Sequence, residues 1–275
     1  MSAPPDPRVP SPRTPAPKTP AWPPRSAPRL FVDQTLAEGA TVMIEGPQAH
    51  YLARVMRVGE GDAVVLCDDV TGEWAARVVE AGKRTVVLGA AERLRPRENV
   101  PDLWLAPALL KKDRFDLVLE KATELGVARV APVVTRRCVA DKLNAERART
   151  IVVEAAEQCA RTALPQLGQP MRLEAMLRDW PQERTLFFAD EQGGTPASDA
   201  FSAGSPCAAI LTGPEGGFDD GEREMIRAHP QARPITLGPR ILRGETAAIA
   251  AVAVWMAVRG DWRSADYSGN SQPAD

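Results

Sequence analysis

Leu211–Glu224 reads LTGPEGGFDDGERE and follows directly on the apolar run CAAI. A buried strand that runs into Gly213, Gly216 and Gly217, with Asp219 and Glu222 three apart behind them, predicts a strand, a tight turn and a helix. The Asp219/Glu222 spacing is that of a capping box, for a helix beginning at about Asp220. Glycines in such a turn let backbone amides approach a ligand closely. The turn lacks the Lys-Ser/Thr pair that a P-loop sets on phosphate and magnesium, and its glycines miss the Rossmann spacing, which disfavours a nucleoside triphosphate.

A second segment, LGPRILRGETAAIAA at residues 237–251, repeats the logic. A strand ends at Leu237, Gly238 and Pro239 fix a turn, and a helix opens near Glu245 after a loop with two arginines. Two such loops at the carboxyl ends of parallel strands form a crevice of the kind found at a switch point in an open sheet. Backbone groups there suit an adenine and a ribose without many charged side chains.

Outward from these loops the chain has two grammars. From about Arg29 to Arg97, short β-rich runs alternate with Gly/Asp turns: ATVMIEG, GDAVVLCDD, GEWAARVVEAG and KRTVVLGAAE. They predict a small β-barrel or curled sheet. One helix is expected at QAHYLARVMRV, with Leu52, Val55 and Met56 on one face and His50, Arg54 and Arg57 on another. After RENVP, strands alternate with helices, which implies a mostly parallel α/β domain. WLAPALL is a strand. KKDRFDLVLEKATELG is a helix carrying Phe115, Val118, Leu119, Ala122 and Leu125 at helical spacing, with Gly126 as its C-terminal cap. VARVAPVV returns as a strand, a helix covers about Glu146 to Thr162, and TLFFAD, CAAILTG and PITLG are further strands. The last helix, from about Gly244 to Val258, is apolar all round.

Composition narrows the classes. The chain has 275 residues and a net charge of −2. Its first 28 residues are rich in proline and poor in large apolar side chains, which predicts an extended, disordered tail. That tail lacks a continuous apolar run and is no secretory signal. It carries Arg8, Arg13, Lys18 and Arg25 against Asp6, so the remaining chain is acidic and any nucleic-acid role rests on local basic patches. Cys67, Cys138, Cys159 and Cys207 have no CxxC spacing and read as buried thiols, with no metal site expected. The longest apolar run, Ala247–Val258, is shorter than the roughly 20 residues a membrane span needs, so no membrane is expected. Tyr267–Asp275 is a polar tail, and the division expected is 1–28 tail, 29–97 barrel, 98–265 α/β domain and 266–275 tail.

GPEGGF followed by LGPRILRGETA resembles the C-terminal signature of the SPOUT class of S-adenosylmethionine-dependent RNA methyltransferases. The closer resemblance is to the RsmE family, the 16S ribosomal RNA uracil-N3 methyltransferases. RLFV at Arg29, HYLARVMRVGEGD at His50, KKDRFDLVLEKATELGV at Lys111, RRC at Arg136 and AAEQCAR at Ala155 match in order. The match covers nearly everything from Arg29 to Gly260. The resemblance implies an N-terminal PUA-like β-barrel that helps bind RNA, a parallel-sheet α/β domain with a deep trefoil knot, a homodimer with cofactor sites near the subunit interface, and a cytoplasmic enzyme. Two departures stand out. The Pro-rich tail is outside the family pattern, and Gly244 sits where relatives often carry Thr or Val, which loosens the loop before Glu245.

Carried over by motif, Leu211, Gly213, Glu215, Gly216 and Gly217 form one wall of an S-adenosylmethionine pocket, and Leu237, Gly238, Ile241, Leu242 and Arg243 the other. Glu215 either joins that wall or orients its loop through neighbouring amides; Thr246 either contacts cofactor or caps the last helix. Uracil N3 carries a proton that must leave, so a cation that stabilises the developing uridinate is useful. Arg161, Arg136 and Arg243 are the candidates, in that order, and no general base is evident. RNA phosphates are expected at Arg29, Arg54, Arg57, Lys111, Lys112 and Arg114. The competing readings are a SPOUT methyltransferase acting on another RNA and a noncatalytic RNA-binding ribosome-assembly factor; the two intact loops argue against the latter. The loop assignment predicts that Gly217→Val abolishes cofactor binding in a folded protein, checked by calorimetric titration; unchanged binding would count against it.

Overall fold

The computed structural model describes residues 22–82 and 84–263. The tail expectation for residues 1–21, and the polar tail 266–275, lie outside the described residues. Residues 22–28 lie against the first sheet: the Arg77 guanidinium sits 4.1 Å from the Trp22 ring centre, and the Pro28 carbonyl accepts the Val65 amide at 2.8 Å.

The first sheet holds β1 (Arg29–Phe31), β2 (Thr41–Glu45), β3 (Ala63–Cys67), β4 (Glu73–Ala81) and β5 (Thr85–Arg95) in the order β1-β3-β4-β5-β2. Only β1 pairs in parallel; the other neighbours are antiparallel. The alternation read in the sequence is carried out in burial. Val42 and Ile44 of β2 and Val86, Leu88 and Ala90 of β5 point inward with Leu30, Leu66 and Trp74. Three register shifts along the β4–β5 pair bend the two strands, as bulges do.

Between β2 and β3 stands α1 (Gly46–His50), which continues as a π-helical turn at Tyr51–Met56. The wider turn changes the faces read from helical spacing. Leu52 is buried as expected, but Val55 (61 % exposed) and Met56 (37 % exposed) face outward with Arg54 and Arg57.

The second unit is a seven-stranded, all-parallel sheet. Along the chain come β6 (Leu103–Pro107), α2 (Lys112–Glu124), β7 (Arg129–Val130), β8 (Val133–Val134), α3 (Ala145–Cys159), β9 (Gln166–Leu167), β10 (Met171–Arg172), α4 (Leu173–Arg178), β11 (Thr185–Ala189), β12 (Thr195–Pro196), α5 (Ala197–Ala203), β13 (Ala208–Thr212), α6 (Asp220–Ala228), β14 (Ala232–Thr236) and α7 (Gly244–Val258). The sheet order is β12-β14-β11-β13-β6-β7-β9; β8 and β10 form a separate parallel pair. All five residues of central β13 are buried, which is why its sequence shows no alternation. Phe115, Leu119, Phe187, Phe201, Val252 and Trp255 fill one side of the sheet; Leu177, Phe188, Leu211, Phe218 and Ile226 fill the other. The even apolarity of α7 follows from its position against α2, α5 and the sheet. Gly126 ends α2 at φ +91°, in the left-handed region that glycine tolerates.

The two units are joined by polar contacts. Glu98 accepts from the amides of Thr162 and Ala163 at 2.6 and 3.1 Å, Asp69 from that of Leu164 at 2.9 Å, and Arg95 donates to the Ala160 carbonyl. Glu157 of α3 reaches the first sheet, accepting the Phe31 amide at 2.8 Å. The cysteines differ from expectation: only Cys67 is fully buried, its thiol pushed up to about 12, chiefly by burial, whereas Cys138 and Cys207 are half-buried and Cys159 is exposed.

Burial at that seam pushes the Glu157 carboxyl up, against the lowering effect of the Phe31 amide. A carboxyl raised in the folded state holds its proton more tightly there, so its burden on stability is absent below the unfolded value and grows as pH rises through the folded value. Glu157→Gln keeps an acceptor for Phe31 and is expected to raise Tm at pH 7, with the gain vanishing on acidification below the usual carboxylate range. Thermal unfolding across pH checks this; a gain that persists in acid would refute it.

Candidate active site

The strand-turn-helix read from Leu211–Glu224 is built as its residues require. Asp219 caps α6 by accepting the Glu222 amide at 2.7 Å, and Glu222 accepts the Asp219 amide at 3.2 Å. A cap of this kind contributes about 1 kcal/mol and fixes where the turn ends. Gly217 has φ +67°, and a Cβ there would stand 3.0 Å from the Glu191 carboxylate; a Cβ on Gly213 would meet the Phe218 ring at 3.1 Å. The Gly217→Val change therefore adds backbone strain in the turn to its effect on binding.

The turn after β14 stands beside it. Gly238, at φ +107°, has open space where a Cβ would lie, so conformation rather than crowding requires it. Gly244 is the opposite case. A Cβ there would come within 2.8 Å of Leu110 and 3.1 Å of the Gly213 carbonyl. The expectation that this glycine loosens the loop is corrected: Gly244 is buried in the first turn of α7, where two chain segments touch.

Together the turns enclose a cavity of about 220 Å³ at the carboxyl ends of β11, β13 and β14. Gly213, Gly217, Leu237, Gly238, Ile241 and Leu242 line it. Five residues named with them do not. Leu211 is buried within β13; Gly216 packs on Arg137; Arg243 and Thr246 are exposed; Glu215 accepts the Lys111 amide at 3.1 Å, tying the turn to the start of α2. Thr246 does not cap α7, whose N-cap residue is Arg243, without a side-chain cap. The sequence reading passed over the end of β11. Ala189, Asp190 and Glu191 line the cavity, and Arg223 from α6 joins them. Their only sequence signal was the strand-ending FFADE.

The RRC stretch holds the glycine turn from outside. Arg136 gives its amide to Glu222 at 2.7 Å and pairs with Asp219 at 3.0 Å; Arg137 Nη1 donates to the carbonyls of Gly216 and Phe218 at 2.9 and 3.3 Å. Arg161 lies elsewhere, 5 % exposed, donating to the carbonyls of Thr123 at 2.8 Å and Val127 at 2.7 Å. It does not line the cavity. Arg243 is exposed, with no side-chain hydrogen bond or ion pair among the described residues.

The cations named for RNA divide in the same way. Arg29 is half-buried and paired with Glu73 at 2.8 Å, and Arg114 with the buried Glu245 at 2.6 Å. Lys112, Arg54 and Arg57 are exposed with uncommitted side chains among the described residues, and so is the side chain of Lys111. Arg240, Arg243 and Lys111, whose amide meets Glu215, stand at the two turns; Lys112 begins α2, and Arg54 and Arg57 sit on the first sheet's helical turn.

Comparison with known proteins gives consistent matches. Residues 96–256 match the family model for an RNA methyltransferase domain, and residues 44–89 that for an RNA methyltransferase PUA domain. Among relatives, Ribosomal RNA small subunit methyltransferase E of Rickettsia conorii is 30% identical over 82% of this chain and 93% of its own length. The Synechocystis protein of the same name is 33% identical over 78% and 72%. A putative methyltransferase from Legionella pneumophila, solved with bound S-adenosylmethionine, superposes with a TM-score of 0.77 at 30% identity, covering 86% of this chain and 99% of that one. A ribosomal RNA small subunit methyltransferase E from Neisseria gonorrhoeae, bound to S-adenosylmethionine, gives 0.78 at 27% identity over the same shares.

Arg161→Met removes the donor to two carbonyls and should cost about 3 kcal/mol of stability while leaving cofactor affinity unchanged. Denaturant unfolding with calorimetric titration checks this; a stable variant with weakened binding would return Arg161 to the pocket.

Two strand-end turns closing on one cavity, a methyltransferase model spanning most of the α/β unit and end-to-end similarity to these relatives lead to one statement: the chain is an RNA methyltransferase of the ribosomal RNA small subunit methyltransferase E family.

Proposed function

We propose that this chain transfers a methyl group from S-adenosylmethionine to N3 of one uridine in 16S rRNA of the small ribosomal subunit. The observation that carries the reading is the cavity between the Gly213–Gly217 and Leu237–Leu242 turns. Its walls combine the backbone and apolar side chains of the two turns with a carboxylate-bearing strand end at Asp190 and Glu191, with no lysine among them and no P-loop pattern, which suits an adenosyl group and not a chain of phosphates. The solved neighbours that carry S-adenosylmethionine support the choice of cofactor.

When bound, S-adenosylmethionine supplies a sulfonium methyl already activated for transfer. The chain's own contribution is alignment and exclusion of water, since a proximity effect accounts for much of such a rate. The two glycine turns hold the adenosyl part, Arg137 keeps the first turn in place, and a cation at the rim offsets charge on uracil as its N3 proton leaves. Of the three arginines named for that task, Arg243 is the one whose guanidinium is uncommitted and adjacent in sequence to cavity residues Leu242 and Gly244. We assign the role to Arg243 ahead of Arg136, which is held by Asp219, and Arg161, which is buried.

The wider reading follows the family. Residues 29–97 act as a PUA-like RNA-binding barrel and 98–265 as the catalytic SPOUT domain, with a trefoil knot around the Leu237–Gly244 segment. The enzyme works as a cytoplasmic homodimer. Arg54, Arg57, Lys111 and Lys112 take RNA phosphates through charge that is not already paired.

The test incubates the full chain with methyl-labelled S-adenosylmethionine and 30S subunits from cells lacking the modification, then maps label by nuclease digestion and mass spectrometry. Label at a single N3-methyluridine is expected. Arg243→Ala is expected to lower kcat about a hundredfold with cofactor affinity unchanged. No label, with cofactor binding confirmed, would refute the substrate.

A further inference from the structure

Five polar side chains line the cavity: Asp190, Glu191, Arg223, Thr236 and Arg240. Four of them are unavailable as acceptors. The Asp190 side chain is fully buried; its Oδ1 accepts from Arg223 Nε at 3.1 Å and the Gln192 amide at 3.0 Å, and its Oδ2 from Arg227 Nε at 2.9 Å and Nη2 at 2.5 Å. Arg223 is itself buried and, like Arg240, can only donate. The Thr236 hydroxyl is turned onto the backbone of Gly238, at 3.3 Å from its amide.

Glu191 differs. Its Oε1 takes Arg223 Nη2 at 2.9 Å, while Oε2 has no partner among the described residues. The carboxylate lies against the glycine turn, 3.0 Å (Oε1) and 3.2 Å (Oε2) from the position a Cβ would take on Gly217, and the side chain is 46% exposed, open to a ligand. An acceptor oxygen is thus held on the cavity wall against the glycine turn.

Charge decides what that oxygen accepts. Asp190, Glu191 and, at 3.9 Å from Arg223, Asp220 face Arg223 and Arg227, and Arg240 lines the same cavity: three carboxylates against three guanidiniums, so the cluster is neutral as a whole. A neutral cluster has little attraction for a cation at a distance but keeps full hydrogen-bonding capacity. Resting on the cofactor reading above, we infer that Glu191 accepts from the ribose hydroxyls of the bound nucleoside and does not serve the sulfonium charge. Arg223 positions it, and Asp190 with Arg227 positions Arg223.

The experiment is calorimetric titration of the full chain, wild type, Glu191→Ala and Glu191→Gln, with four probes: S-adenosylmethionine, S-adenosylhomocysteine, methylthioadenosine and the 2′,3′-dideoxy form of methylthioadenosine. A hydrogen bond to a charged group corresponds to roughly a tenfold to hundredfold loss on truncation. The expected result is that loss for the first three probes alike in Glu191→Ala, a smaller loss in Glu191→Gln, and no change for the dideoxy probe. Three results would overturn the inference: unchanged binding by a folded Glu191→Ala protein, a loss confined to S-adenosylmethionine, or an equal loss for the dideoxy probe. A wild-type chain that binds none of the probes would instead overturn the cofactor reading on which it rests.

Discussion

The site depends on one close approach between backbones. The carbonyl of Gly213, at the end of β13, lies 3.1 Å from where a Cβ of Gly244, at the start of α7, would stand, with Leu110 still nearer at 2.8 Å. A side chain at 244 would require the Leu110 side chain to move and the Gly213 carbonyl to yield by a few tenths of an ångström. With glycine there, the turns after β13 and β14 share a wall, and the cavity lies between them. Glu215 and Arg114 hold the same junction from the α2 side, through the Lys111 amide and Glu245.

Much of the chemistry that surrounds the cavity is committed to structure. Buried charges are costly unless paired and hydrogen-bonded, and Asp190, Arg223 and Glu245 beside the turns meet that requirement. Asp190 is saturated by Arg223, Arg227 and an amide; Arg161 is held by two carbonyls at the end of α2. These groups rigidify the frame and leave the reactive roles to the few polar atoms that remain uncommitted. The same division sorts the surface cations: Arg29 and Arg114 are internal ties, whereas Lys112, Arg54 and Arg57 are available to an anionic partner.

The first sheet and the parallel sheet meet through a polar seam, with Glu98 and Asp69 receiving the amides of residues 162–164. A seam of charge-assisted bonds to backbone has directional geometry, so it sets the orientation of the two units as well as joining them. Exposed Met43, Tyr51, Val55 and Met56 lie on one edge of the first sheet, beside the uncommitted Arg54 and Arg57. Mixed apolar and cationic surface of this kind suits a nucleic-acid partner better than either alone.

The sequence by itself determined the element types and the chemistry of the turns, because both are local. The periodicity of Phe115 to Leu125 dictated α2, the unbroken apolar run of 208–211 a fully covered strand, the Asp219/Glu222 pair the start of α6, and the glycines the two turns. It misread the faces of residues 51–56, since a π-helical turn leaves no signature in spacing. Only the tertiary structure decided which charges are free. Arg161, Arg136 and Arg243 are indistinguishable as letters, and their fates were set by partners from distant parts of the chain: two carbonyls of α2 and its exit with Glu98 at 3.9 Å for Arg161, the carboxylates of Asp219 and Glu174 for Arg136, and for Arg243 no side-chain hydrogen bond or ion pair among the described residues. Glu191 entered the site for the same reason, since sheet order, which no local pattern encodes, brings β11 between β13 and β14.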